Sequence, residues 1–315
     1  MAETREEYKK RVKKRKWPYI VGGILLFILL IGGGYAWYIW DKLHETVSNM
    51  HDPLERDENP ERQEELKDIF NKKKSLNILL LGVDERAGDK GRSDTMILMS
   101  LNPNTDSMVM LSIPRDTYVN IPGYGMDKIN HAYARGGVEL SVKTVEEAFH
   151  VPVHFYGKVN MEGFEQGVDS LGGVTVTNDL AFTQDGVHFP TGEIHLDGEE
   201  ALAYIRMRKS DPRGDMGRNE RQRDVISAAL EKAASFSGIT KIGEILNILG
   251  DNVNTDLNMK NIQNLFTNYL STRANIEMME ITGSGQIIGA VWYYIVPESE
   301  FDRISTEIKQ FMKET

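Results

Sequence analysis

The sequence predicts an α/β fold: a single three-layer α-β-α domain on a central mixed sheet, preceded by one membrane-spanning helix. Three observations carry this. Tyr19–Ile39 runs 21 residues without a charge, behind a basic tail. Leu76–Val83 (LNILLLGV) is a continuous apolar run of strand length, suited to a strand covered on both faces. Beyond it, strand-like and helix-like segments alternate to the end of the 315 residues. The expected order is a basic tail (1–18), the span (19–40), a charged spacer (41–74) and one domain (75–315).

Taken from the amino terminus, residues 1–17 carry eight Lys/Arg against three Glu. A helix rising about 1.5 Å per residue over Tyr19–Ile39 measures about 32 Å, which matches a hydrocarbon core of about 30 Å. Trp17 and Tyr19 at one end, with Trp37, Tyr38 and Trp40 at the other, form aromatic belts. The basic end stays in the cytoplasm, so the chain after Asp41 is expected outside the cell, as a single-pass type II protein of the cell membrane. A cleaved signal peptide fits less well, because the apolar run is too long and Gly34-Tyr35-Ala36 is only a loose cleavage site.

The spacer reads as helical from about Pro60 to Lys73. Strands are expected at Leu76–Val83, Thr95–Leu101, Ser107–Ile113, Val153–Val159, Val174–Asn178, Gly192–Leu196, Tyr204–Arg208, Ile276–Gly283 and Ala290–Val296. Helices are expected at Val138–Phe149, Met161–Leu171, Gly198–Tyr204, Asn219–Ser235, Ile239–Leu249, Met259–Tyr269 and Pro297–Glu314. No internal repeat is visible.

Composition narrows the function classes. With no cysteine there is no disulfide, thiolate nucleophile or cysteine metal site. With the +5 of residues 1–17 set against the chain's −10, the remainder carries −15. Such an acidic body argues against nucleic acid as a partner. No phosphate-binding P-loop and no Gly-x-Ser-x-Gly elbow is present.

Against that background, Ala203–Arg223 (AYIRMRKSDPRGDMGRNERQR) packs six arginines and one lysine into 21 residues. Guanidinium forks match phosphate oxygens two at a time. An extended Tyr204–Arg208 places Arg206 and Arg208 on one face and Ile205 and Met207 on the other. In the following helix, Arg218 and Gln222 continue the stripe of Val225, Ile226, Ala229, Leu230 and Ala233. They should face inward, while Arg223 turns outward and should tolerate alanine. A solvated charged face is the plainer reading of such a run.

Carboxylates accompany the arginines. Asp84 follows the first buried strand and Asp94 flanks the same loop, so the two can share a hard cation; either can equally be a turn or strand-start residue. Arg115 and Asp116 follow Ser107–Ile113, at the same end as Asp84 if the strands run parallel. His131 is a candidate base or a structural histidine.

Leu80-Leu81-Gly82-Val83-Asp84, Arg92-Ser93-Asp94-Thr95, Ser112-Ile113-Pro114-Arg115-Asp116, Lys128-Ile129-Asn130-His131-Ala132-Tyr133, Ala201–Arg208 and Arg218–Arg223 together resemble the LytR-CpsA-Psr family, in its order. The likeness is greatest to its teichoic acid transferases. It implies a transferase outside the membrane that moves an anionic glycopolymer from an undecaprenyl-pyrophosphate carrier to a muramic acid hydroxyl of peptidoglycan. By the same resemblance Asp84 and Asp94 hold magnesium. Arg92, Arg115, Lys128, Arg206, Arg208, Arg218 and Gln222 take the pyrophosphate, and the polyprenyl tail lies in an apolar pocket. Asp94, Arg115, Arg208 and Asp215 are the residues assigned to catalysis, with Asp94, Asp116 and Asp215 as candidate bases. Two alternatives stand beside this reading: a polyprenyl-pyrophosphate phosphatase, and a membrane-bound sensor of the lipid carrier without turnover.

Overall fold

The computed structural model describes residue 41 and residues 44–85, 91–235 and 250–314. The basic tail, the expected span at Tyr19–Ile39 and the expected helix at Ile239–Leu249 lie outside those residues. Among the described residues, no helix is long and apolar enough to cross a membrane.

Strands β1 (Leu76–Val83), β2 (Ser93–Asn102), β3 (Ser107–Ser112), β4 (Tyr118–Ile121) and β5 (Gly125–Lys128) come first. Then come β6 (Phe155–Asn160), β7 (Val174–Asn178), β8 (Phe182–Gln184), β9 (Val187–Phe189) and β10 (Gly192–Leu196). The last are β11 (Val253–Thr255), β12 (Asn275–Met279), β13 (Ser284–Ile288) and β14 (Val291–Ile295). Helices α1 (Pro60–Asn71), α2 (His131–Phe149), α3 (Met161–Ser170) and α4 (Gly198–Arg206) precede α5 (Asp215–Ser235), α6 (Met259–Asn268) and α7 (Glu298–Phe311).

The central sheet is mixed, in the order β11-β6-β1-β2-β3-β12. β1 runs antiparallel to β2 and parallel to β6, and β2 runs antiparallel to β3. The pleat of β1 explains its unbroken apolar run. Leu79, Leu81 and Val83 pack on α2 and α7, with Phe149 and Ile304 among their neighbours, while Leu76 and Ile78 pack on α1 through Leu66, Ile69 and Phe70. A third core of Val174, Phe182, Phe189, Tyr204 and Met207 forms a small lobe beside the sheet.

Local signals account for the helix starts. Asn59 caps α1 ahead of Pro60, Asn160 caps α3 by accepting from Gly163 N at 2.8 Å, and Asp197 with Glu200 forms a capping box on α4. Helical turns begin at His131 rather than Val138, and the break between is Gly136-Gly137, where Gly137 takes φ +64°.

Four further expectations change. Tyr204–Arg208 is not a strand: the capping box launches α4 through Arg206, and Met207 follows in extended conformation. The next helix begins one turn earlier than Asn219, at Asp215. The short hairpins β4–β5 and β8–β9 were not expected, because each is carried by turn and packing contacts rather than a long apolar pattern, and of the hairpin β13–β14 only the second strand was. From Glu45 on, the stretch read as a spacer belongs to the compact unit Glu45–Thr315. Leu54 reaches the core on one face of the sheet and α1 covers the other, with Phe70 against Phe155 (5.7 Å between ring centres) and Tyr269 (6.0 Å). High charge density masked three apolar residues at helical spacing.

Phe70→Ala should therefore lower stability by about 3–5 kcal/mol, as for a buried aromatic. Chemical denaturation checks this; an unchanged midpoint would restore residues 41–74 to a linker.

Candidate functional site

The ends of β1 and β3 and the start of β2 lie at one edge of the sheet, because β1 and β3 are both antiparallel to β2. A cavity of about 1120 Å³ opens there, between the sheet and α3, α4 and α5. Asp84, Asp94 and Arg115 line it from the sheet side. Asp94 reaches it through an irregularity: Gly82 pairs with Thr95 and Val83 with Ser93, so Asp94 is the extra residue of a bulge. Gly82 is required opposite it, since a Cβ there would stand 2.9 Å from the Thr95 Cβ. Arg115 Nη1 donates to Asp94 Oδ2 at 2.9 Å. Burial pulls the Arg115 guanidinium down, yet its net displacement is upward because Asp94 and Asp116 hold the charged form.

From the helical side come Arg206, Arg208, Arg218 and Gln222. Arg206 ends α4 and Arg208 follows buried Met207, so both cations are exposed into the cavity despite the helical ending. Asp215 lies between Arg208 (2.9 Å) and Arg218 (3.0 Å). Arg218 is only 7% exposed, and its Nε and Nη2 lack a hydrogen bond of good geometry. Burial pushes its guanidinium down, Asp215 opposes this, and Arg115 adds to it. A buried, under-satisfied guanidinium beside other cations is a receptor for an anion.

The loop carrying Arg208 is latched from below. Arg221 pairs with Asp211 at 2.7 Å, donates to Met207 O at 2.6 Å and lies 5.4 Å from the Phe182 ring centre. Gly217 permits this approach, because a Cβ there would collide with the Asp211 carboxylate.

The rest of the wall is largely apolar: Leu80, Val159, Phe164, Leu202, Ile205 and Ile226. Sequence reasoning could not find this half, since its residues come from five separated segments. It also missed Lys158, which lines the cavity as an isolated lysine, gave Lys209 of the arginine run no role, and missed the structural role of Arg221. Six cationic residues and three acidic ones line the space, and Asp211 among the acids has its carboxylate buried against Arg221, a local excess opposite to the chain's overall charge.

Other expected residues lie elsewhere. Arg92 is exposed and does not line the cavity. Lys128 is bound to Asp116 at 2.6 Å and stands over Tyr293, and His131 pairs with Asp127 at 3.0 Å. Asp215 borders a neighbouring cavity instead. Arg223 does not turn outward: it is buried and lies 3.3 Å from Glu280. The α5 face opposite the cavity is covered as well, next to the strand β3 and residues after β12, so the helix has little free surface there.

A family model described as the LytR_cpsA_psr family matches residues 37–310. The chain is 57% identical to the polyisoprenyl-teichoic acid–peptidoglycan teichoic acid transferase TagU of Oceanobacillus iheyensis, over 99% of both chains. The crystal structure of Bacillus subtilis TagU aligns with a TM-score of 0.63 at 43% identity, covering 77% of this chain and 98% of that one. A structure of TagT bound to LI-WTA aligns with a TM-score of 0.71 at 35% identity, covering 84% and 100%.

Arg221→Ala should cost about 3–5 kcal/mol, because it takes the buried cation from the fully buried Asp211 carboxylate and leaves it only the half-exposed Arg213. Burial alone would raise Asp211, but Arg221 and the Arg213 amide hold it below its ordinary 3.8. The pair's contribution is thus complete above that value and is lost as pH falls through the lower folded value. Denaturation across acid pH should show this limb in the parent and a flatter one in Arg221→Ala. Arg223→Ala, which the sequence alone marked as tolerated, should lower the melting temperature.

Proposed function

The chain belongs to the LytR-CpsA-Psr family, and we propose that it transfers wall teichoic acid from an undecaprenyl-pyrophosphate-linked precursor to peptidoglycan. One observation carries this reading. A single cavity joins the cations Arg115, Arg206, Arg208 and Arg218 to an extended apolar wall, which suits a ligand with a dianionic head and a long hydrocarbon tail. The names of the relatives supply the polymer and the acceptor.

In this reading the arginines grip the pyrophosphate and neutralise charge that builds on the leaving lipid phosphate. The acceptor hydroxyl attacks the sugar-side phosphorus. A new P–O bond forms to the muramic acid oxygen as the bridging P–O bond breaks; polyprenyl phosphate leaves and the hydroxyl proton passes to solvent. Asp94, Asp116 and Asp215 are each engaged by a cation, through Arg115, Lys128, and Arg208 with Arg218 respectively. Positioning and charge neutralisation therefore account for catalysis better than a free carboxylate base does.

Magnesium fits the donors. Asp84 and Asp94 both border the cavity, offer hard oxygen, and come from adjacent strands. Among the described residues, no group of three or more acidic or histidine side chains could hold a metal. Two carboxylates completed by substrate phosphate oxygens suit magnesium. The ion would supply Lewis-acid neutralisation of the pyrophosphate. Arg92 and Lys128 belong to the reading only through the family resemblance. The uncharged Tyr19–Ile39 stretch and its basic flank support a membrane-anchored domain facing outward, next to its lipid donor.

The test uses the full chain in detergent with a short-prenyl pyrophosphate glycan donor and uncrosslinked peptidoglycan. Attachment should depend on magnesium, and Asp84→Asn should raise the magnesium concentration required. Arg208→Lys should lose at least about tenfold in kcat/KM, because an ammonium cannot reproduce a charge-assisted fork worth about 1.5–3 kcal/mol. Phosphate release without attachment would favour the phosphatase, and donor binding without either product the sensor.

A further inference from the structure

A second cavity of about 410 Å³ adjoins the first and shares Arg115, Arg208 and Gly214 with it. Its far wall is the β13–β14 hairpin, through Gly285, Trp292 and Tyr294, and Met216 and Asp215 close its other side. We propose that this cavity is the acceptor subsite, in which Trp292 stacks on a pyranose ring of the peptidoglycan glycan strand. The inference rests on the transferase reading and adds to it where the acceptor lies.

The position is the first argument. The shared arginines stand at the boundary, so a phosphate held by them from one cavity is reachable from the other. A nucleophile in the second cavity is separated from the lipid's apolar channel by the reacting group itself, as displacement of the lipid phosphate requires.

The chemistry of the wall is the second. Trp292 remains 40% exposed although it faces a cavity, and its indole lies across Gly285, where a Cβ would meet Nε1 at 2.7 Å. The Tyr294 ring is 6.4 Å away at 31°. Flat aromatic surface beside carboxylates suits a sugar, which offers C–H faces and hydroxyl edges. Asp116 and Asp215 border the same space, and Asp215 Oδ1 lacks a hydrogen bond of good geometry although Arg218 Nη2 is 3.0 Å away.

The hairpin is also fixed to the reacting loop. Tyr294 N donates to Asp116 O at 2.9 Å, Tyr294 Oη donates to Ile281 O at 2.9 Å, and Tyr293 packs on Tyr118 with ring centres 4.7 Å apart. An acceptor seated on Trp292 is therefore held in register with Arg115, the residue next to Asp116. Lys128, bound to Asp116 and standing over Tyr293, takes part in this joint rather than lining the first cavity.

Trp292 is the only tryptophan beyond residue 40. In the full chain in detergent, with Trp17, Trp37 and Trp40 replaced by phenylalanine, an uncrosslinked muramyl glycan fragment should change Trp292 fluorescence saturably. Trp292→Ala should raise the acceptor KM about tenfold while the donor KM holds, Trp292→Phe should retain most acceptor affinity, and Gly285→Ala should behave like Trp292→Ala. If the unaltered chain attaches nothing to peptidoglycan, the transferase reading fails. If it attaches normally and Trp292→Ala matches it in acceptor KM, the subsite alone is refuted. Equal losses for donor and acceptor would also overturn it, by making Trp292 a structural residue.

Discussion

The buried ion pair between Arg221 and Asp211 is the contact on which the site depends. It fastens the segment from Met207 to Gly214 onto the first turns of the helix Asp215–Ser235, and both partners are almost wholly removed from water. Such a pair contributes little net stability compared with apolar residues, but breaking it is costly, so it specifies one arrangement of the loop. That arrangement puts Arg208 and Arg218 on either side of Asp215. A helix tip and a loop thereby become one rigid cationic surface.

That surface is under electrostatic tension. Arg218 is buried with donors unsatisfied, and Arg115 and Arg208 work against its charge while Asp215 and Asp94 support it. Bound pyrophosphate would satisfy the donors and relieve the repulsion together. On the proposed function, stability given up at this place would be recovered as affinity, a common arrangement where a ligand carries the missing charge. The apolar interior adds the second half of the recognition, so neither a free pyrophosphate nor an uncharged lipid would fill the whole cavity.

The sheet fixes the other side. Two strands separated by an antiparallel neighbour deliver Asp84 and Arg115 to the same edge, and a bulge turns Asp94 into the space between them. The glycine at position 82 belongs to this device: without a side chain it lets the strands approach where the bulge bends them. The hairpin that carries Trp292 is joined to the Arg115 loop by backbone pairing, which sets the second cavity against the first.

The sequence by itself determined the α/β class, the buried first strand and the inward phase of Arg218 and Gln222, because each is a local periodicity read over neighbouring residues. It put Arg206 and Arg208 on one face as a strand would, and both line the cavity although they come from a helix end and the residues after it. It identified six arginines in one run but sorted them only in part, sending Arg223 outward and giving Arg213 and Arg221 no role. Arg206, Arg208 and Arg218 reach the cavity, whereas Arg213 pairs with Asp211 and Glu220, Arg221 latches the loop and Arg223 meets Glu280. The partners Asp211 and Glu280 lie 10 and 57 residues away in the chain. Only the tertiary structure could decide that sorting, and with it the apolar channel and the Trp292 wall. Charge and hydrophobicity are properties of a residue, but what satisfies them is set by whatever distant segment folding brings alongside.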